Sequence, residues 1–168
     1  MKTPSFGPIR QVAWVVRNLE DSVDNWLRVS GVGPWTVFRN VAMAGTLDGQ
    51  AAKVRMHVAL GYQGDMEIEL IEDLGAGASP YRSAAGEPLV GMHHVAWLTR
   101  GTARGMQVKF TAANEVTRVA YLSDPREPKL LFEFIEMNEV MRAGFAARLE
   151  ASRTWQGENP LQVIDLGG

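Results

Sequence analysis

Residues 9–17, IRQVAWVVR, form an apolar, valine-rich run that reads as a buried strand. The period then changes. Leu19, Val23, Trp26 and Leu27 fall on one helical stripe. Asn18 is placed to cap that helix, Glu20 and Asp21 suit its positive end, and Gly31 supplies a stop. Residues 35–39, WTVFR, read as a second strand. Residues 51–60 alternate, with Val54, Met56 and Val58 on one face and Lys53, Arg55 and His57 on the other. The turn YQGD leads into MEIELIE, residues 66–72, as the returning strand of a hairpin. The order is β-α-β-β-β.

A Gly/Ala/Ser/Pro-rich connector follows, and then the pattern restarts. HVAW, from His94, copies QVAW, from Gln11; FEFIEM, residues 132–137, copies IELIED, residues 68–73. The chain therefore divides into an N-terminal extension (1–8), a first module (9–73), a linker (74–91), a second module (92–137), and a C-terminal helix and tail (138–168). From Gln11 to Glu69 is 58 positions and from His94 to Glu133 only 39, so the second module is shortened. Its middle, residues 100–114, is Gly-interrupted and holds at most a short helix and a short strand. Val140, Met141, Phe145 and Leu149 give the last helix its apolar side. The tail from Ser152 has no clear role beyond Trp155 and Leu161 as clips onto the body.

Strand alternation assigns Gln11, Ala13 and Val15 to one face, with Trp14 behind it. Glu67 and Glu69 share a face, as do His94 and Ala96, and Leu131 and Glu133. If the two modules curl around a common axis, Gln11, Glu69, His94 and Glu133 converge. Polar groups inside apolar strands are costly unless paired, about 1–3 kcal/mol for a neutral group and more for a bare carboxylate. A divalent cation relieves that cost. One imidazole, two carboxylates and an amide oxygen suit Zn, Ni, Co, Mn or Fe(II), with water completing the shell.

Charge and cysteine content narrow the partners. The net charge is −2, from 17 basic and 19 acidic residues, so no basic field exists for nucleic acid. There is no cysteine, which excludes disulfides and thiolate ligands and suits a cytoplasmic location. No segment approaches the ~20 apolar residues of a membrane span, and the N-terminus lacks the apolar run of a signal peptide.

The paired strands MHHVAW and IELIED, with VAWVVRNLEDSVDNW after the first ligand position, resemble the vicinal oxygen chelate superfamily. That superfamily includes glyoxalase I, methylmalonyl-CoA epimerase, extradiol dioxygenases and drug-resistance binding proteins. The likeness spans residues 9–137 and is strongest to the glyoxalase I and epimerase-like branch. It implies an α+β fold in which two tandem βαβββ modules form a curved mixed sheet around a metal-binding cavity. It places metal ligands at Gln11, Glu69, His94 and Glu133. The order Gln, Glu, His, Glu is similar to zinc-using glyoxalase I, which makes Glu133 the mobile proton-carrying carboxylate and Glu69 its partner. The epimerases usually carry His at the position of Gln11. A single in-register His disfavours two-His iron chemistry.

The expected activity is that of a metal-dependent lyase or isomerase acting on a small carbonyl or thioester compound through a metal-stabilised enolate. The alternative is a non-catalytic, drug-sequestering protein of the same fold. The resemblance also implies a homodimer. Tyr81 and Arg82, in the linker, and His57 are weaker candidates for substrate contact. His93 is expected to point away from His94, Glu67 to be salt-bridged, Glu72 and Glu136 to be solvated, and Trp14 and Trp97 to pack against helices.

Overall fold

A computed structural model describes residues 6–99 and 105–167. In chain order the elements are β1 (Gln11–Val15), α1 (Leu19–Ser30), β2 (Trp35–Leu47), β3 (Gln50–Gln63), β4 (Met66–Asp73), β5 (Gly91–Trp97), β6 (Gln107–Ala113), β7 (Thr117–Ser123), β8 (Leu131–Met137), α2 (Glu139–Thr154) and β9 (Leu161–Asp165). The sheet runs β3-β4-β1-β5-β8-β7-β6-β2, and β2 also pairs with β3, which closes it into a barrel. Both modules thus pair within one chain, through β1 with β5 and through β2 with β6. Fold and C-terminal helix match the α+β expectation.

The barrel interior is filled by alternating residues of these strands. Ala13, Val15, Met43, Val54, Met56, Val58, Ile71, Phe110 and Tyr121 form one buried cluster. The outer layer packs α1 on the sheet, with Leu19 and Val23 against Trp35, Ala59, Ile68 and Leu70. The α1 ends are set locally. Asn18 accepts the Asp21 N–H at 2.9 Å, and Gly31, at φ +67, donates its N–H to the Leu27 carbonyl at 3.1 Å. Glu72 is not merely solvated: it accepts the N–H of Leu19 at 2.9 Å and holds the first turn of α1 against β4. Trp14 meets Trp26 of α1 edge-on at 5.2 Å. Trp97 meets no helix ring of this kind among the described residues. It stacks on Phe134 at 5.6 Å and meets Phe6 edge-on.

Three further departures from the sequence reading have physical causes. The second strand extends far past Arg39, because a bulge between Phe38 and Val41 absorbs Asn40 at φ +57 and lets pairing with β3 resume. The tail is a strand. β9 pairs parallel with Trp35–Arg39 of β2, at the edge left free where pairing with β6 ends. In α2 only Phe145 is buried, where its ring meets Tyr62 of β3 edge-on at 5.5 Å, and Val140, at the start of the helix, is 68% exposed. Between β5 and β6 the described residues contain no helix; residues 100–104 of the expected short element lie outside them. Among the described residues no helix is long and apolar enough to cross a membrane.

Candidate metal centre

The inward positions of four neighbouring strands build the site. In the sheet Ala13 of β1 lies beside Glu69 of β4 on one side and His94 of β5 on the other. Ala96 of β5 lies beside Gln11 and Glu133 in the same way. Each large polar group therefore has a methyl as its lateral neighbour, and the space above the two alanines belongs to the polar heads. Both alanines are 0% exposed.

Glu69, His94 and Glu133 come together with ligand atoms within 4.8 Å of one another. His94 Nε2 lies 3.2 Å from Glu69 Oε2 and 3.0 Å from Glu133 Oε2. Burial alone would depress the imidazole, and the two carboxylates, Glu133 foremost, overcome it and hold His94 up at about 9. Burial raises the Glu69 carboxyl, an effect that His94 opposes and the Glu133 charge reinforces.

The proximity does not satisfy these atoms. Among the described residues, the buried side-chain atoms without a hydrogen-bond partner are Gln11 Oε1, His94 Nε2, Glu133 Oε2 and Arg148 Nε. Three of the four belong to the positions singled out as ligands. Two carboxylates and an imidazole, crowded together out of water, carry a desolvation cost that a divalent cation at their centre would offset. The donor set fits a divalent metal: hard oxygens and one borderline nitrogen, with no soft sulfur.

Gln11 enters through Glu67. Its Nε2–H donates to Glu67 Oε2 at 3.0 Å. A carboxylate only accepts, so the amide nitrogen must face Glu67 and the amide oxygen is left over. Tyr62 donates to the other Glu67 oxygen at 2.6 Å, as does Arg148 Nη2, from α2, at 3.0 Å. Burial raises the Glu67 carboxyl, and the Arg148 charge opposes this. The salt bridge expected for Glu67 is therefore present, and it is buried.

The weaker candidates sit as follows. Tyr81 is 1% exposed, and its hydroxyl lies 2.9 Å from that of Tyr121, whose ring lies 4.8 Å from the His94 ring. Burial pushes both phenols well above their ordinary value. Arg82 spends its guanidinium on the Asp73 carboxylate at 2.6 Å, the Asp73 carbonyl at 3.0 Å and the Gly86 carbonyl at 2.8 Å. His57 is on the outer face of β3, where its Nδ1 accepts the N–H of Asn40 at 3.1 Å; the structure does not bring it to the cluster. His93, expected to point away, is 5% exposed and touches His94, because a bulge in β5 opposite Ala13 and Trp14 breaks the alternation. Tyr62, Tyr121 and Arg148 went unread. Tyr121 had a signal, since it stands opposite Glu133 in the β7–β8 pair. Arg148 had none.

The sequence profile described as "Glyoxalase/Bleomycin resistance protein/Dioxygenase superfamily" matches residues 10–113, from β1 through β6. The chain belongs to that superfamily. The matched span holds Gln11, Glu69 and His94 and ends before Glu133. Among curated proteins none matches the sequence. Solved structures are similar in fold. A hypothetical protein from Bacillus halodurans is 19% identical, with a TM-score of 0.52, covering 79% of this chain and 95% of its own. Methylmalonyl-CoA epimerase from Mycobacterium tuberculosis is 14% identical, with a TM-score of 0.50, covering 80% of this chain and 91% of its own. At these identities the likeness is one of fold.

Proposed function

We propose that this superfamily member is a divalent-metal-dependent isomerase or lyase acting on a small carbonyl or thioester compound. The observation that carries the reading is the Glu69–His94–Glu133 cluster, in which His94 Nε2 and Glu133 Oε2, with Gln11 Oε1 nearby, are buried without hydrogen-bond partners. Glu69, His94, Glu133 and Gln11 would hold the ion; its identity among Zn, Ni, Co, Mn and Fe(II) stays open. When bound, such an ion supplies Lewis-acid polarisation of a substrate carbonyl oxygen.

The protein's own groups do the rest. Glu69 and Glu133 flank His94 Nε2 from two strands related by the internal repeat. An isomerisation at a carbon beside a carbonyl needs one group to remove a proton and one to return it, and a pair of carboxylates supplies both. The Glu69 side chain is 15% exposed and that of Glu133 only 4%. Glu69 is therefore the more open to an entering C–H. Glu133, the residue that the family likeness favours as proton carrier, is its partner. Solvent-deuterium exchange into candidate thioesters and α-hydroxy or α-keto compounds tests this. Glu69→Gln and Glu133→Gln should each lower exchange by roughly 100-fold or more; unchanged exchange in both, in folded protein, would sink the assignment.

One observation favours a second reading, a non-catalytic binding protein. A cleft of about 1420 Å³ lies between the linker and the β6–β8 hairpins, lined by Leu89, Val90, Met92 and His93 but by none of the three clustered ligands. Apolar ligand binding there, unaffected by EDTA and without turnover, would support it over the enzyme. A homodimer is also proposed from the family likeness, and light scattering on the purified chain decides it.

A further inference from the structure

We propose that His93 is a positioning residue, which holds the Nδ1–H of His94 so that Nε2 is the nitrogen turned to Glu69 and Glu133, and couples that imidazole to the inter-module linker through the carbonyl of Pro80. The inference rests on the metal reading of the cluster.

The chain of contacts leaves one proton arrangement. His93 Nε2 lies 2.8 Å from the Pro80 carbonyl oxygen. A carbonyl oxygen only accepts, so His93 Nε2 carries the hydrogen. His93 is 5% exposed, and its two ring nitrogens face a carbonyl and a second imidazole rather than a carboxylate that would hold a further proton, so its Nδ1 is bare. His94 Nδ1 stands 3.0 Å from that bare nitrogen and must supply the N–H between them. A hydrogen is thereby fixed on His94 Nδ1, and Nε2, 3.2 and 3.0 Å from the two carboxylates, is the nitrogen that would ligate a metal. Metal-binding histidines are held in this way by a partner on their other nitrogen, which fixes both tautomer and ring orientation. Here the partner is a second histidine, itself tied to a loop.

The surroundings hold the arrangement. The β5 bulge turns residue 93 to the inner face, where regular alternation would have sent it outward. The Tyr81 ring packs 5.2 Å from the His93 ring and the Tyr121 ring 5.8 Å from it, and the two phenols are joined at 2.9 Å. Pro80 and Tyr81 belong to the linker, so a segment that reads as a plain connector sets the orientation of a ligand.

The test uses the full chain, with cobalt(II) as the probe, read by its visible absorption. Asn at 93 places an amide oxygen where His93 Nδ1 stands and keeps the acceptor for His94. Gln places its amide near the Nε2 position and keeps the link to Pro80 but not the acceptor. His93→Asn should retain cobalt affinity within about 3-fold, whereas His93→Gln and His93→Leu should lose about 10- to 100-fold, the usual cost of removing such a partner. A merely structural role predicts equal loss in the Asn and Gln variants, and that result, or no loss in any, would overturn the proposal. Nitrogen-15 shifts of the unsubstituted protein, which has three histidines, give a readout independent of mutation and of metal. His93 as the neutral Nε2–H tautomer supports the chain of contacts, and the Nδ1–H tautomer overturns it. If the unsubstituted protein takes up no cobalt, the metal reading fails, while the tautomer of His93 in metal-free protein still decides the orientation.

Discussion

Stripping divalent metal from the protein should make its stability fall as pH rises from about 6.5 to about 9, a range in which a buried neutral histidine would leave it unchanged. In the folded, metal-free chain His94 titrates at about 9, held there against burial by Glu133 and Glu69. An unfolded imidazole titrates at about 6.5. Between those values the folded state keeps a proton that the unfolded state has released, so unfolding is favoured by raising the pH. The stabilisation is complete below about 6.5 and lost as pH climbs through about 9. At 1.36 kcal/mol per pH unit it is about 3 kcal/mol in magnitude. His94 is 0% exposed, so solvent screening takes little from it. Glu69 acts in the same direction, because burial raises its carboxyl and its charged form weighs against the fold as pH rises. For a chain of this size the melting temperature should drop by roughly 6–12 °C. Circular dichroism melts at pH 6 to 9.5 in EDTA measure it, with a parallel series in saturating zinc. Zinc needs the deprotonated imidazole, so its stabilising effect should grow over the same window. A metal-free melting temperature that is flat or rises between pH 6.5 and 9 would refute the reasoning.

Glu67→Gln keeps one oxygen for Tyr62 and Arg148 and turns an amide N–H toward Gln11; the Gln11 amide then flips its oxygen away from the site, and zinc affinity should weaken by about 10-fold or more in a competition titration. Ala13→Leu places a branched chain between Glu69 and His94, on the site of a residue that is 0% exposed; metal uptake should be lost, and calorimetric titration checks it. Gly45→Ala would put a Cβ 1.8 Å from the backbone carbonyl oxygen of Thr111, forcing β2 off β6 at the seam that closes the barrel; urea unfolding should show a loss of at least about 2 kcal/mol.

The parts legible in the sequence are those written in local chemistry. Asn18 and Gly31 bound α1 because capping is a matter of a few adjacent atoms. The positions of Glu69, His94 and Glu133 were readable because the repeat fixes which residue of each strand faces inward. What escaped depends on distant partners. His93 reverses its facing because β5 carries one residue more than β1 opposite it, and no composition signal marks such a bulge. β9 is a strand only because pairing between β2 and β6 stops at Ala44, leaving an edge at Trp35–Arg39. Tyr81 and Arg82 sit in a stretch whose composition suits an exposed linker. Their burial comes from Tyr121 and Asp73, residues 40 and 9 positions away. Gln11 was placed correctly on the inner face, but the group that turns its oxygen free, Glu67, shows its part only once Tyr62 and Arg148 are seen converging on it.

The central claim is that this site holds a metal, and elemental analysis of protein purified without chelators tests it most directly. About one divalent ion per chain is expected, lost in His94→Ala and Glu133→Gln while both variants stay folded. A stoichiometrically metal-free protein that also fails to take up zinc, nickel, cobalt, manganese or iron(II) on addition would contradict the account.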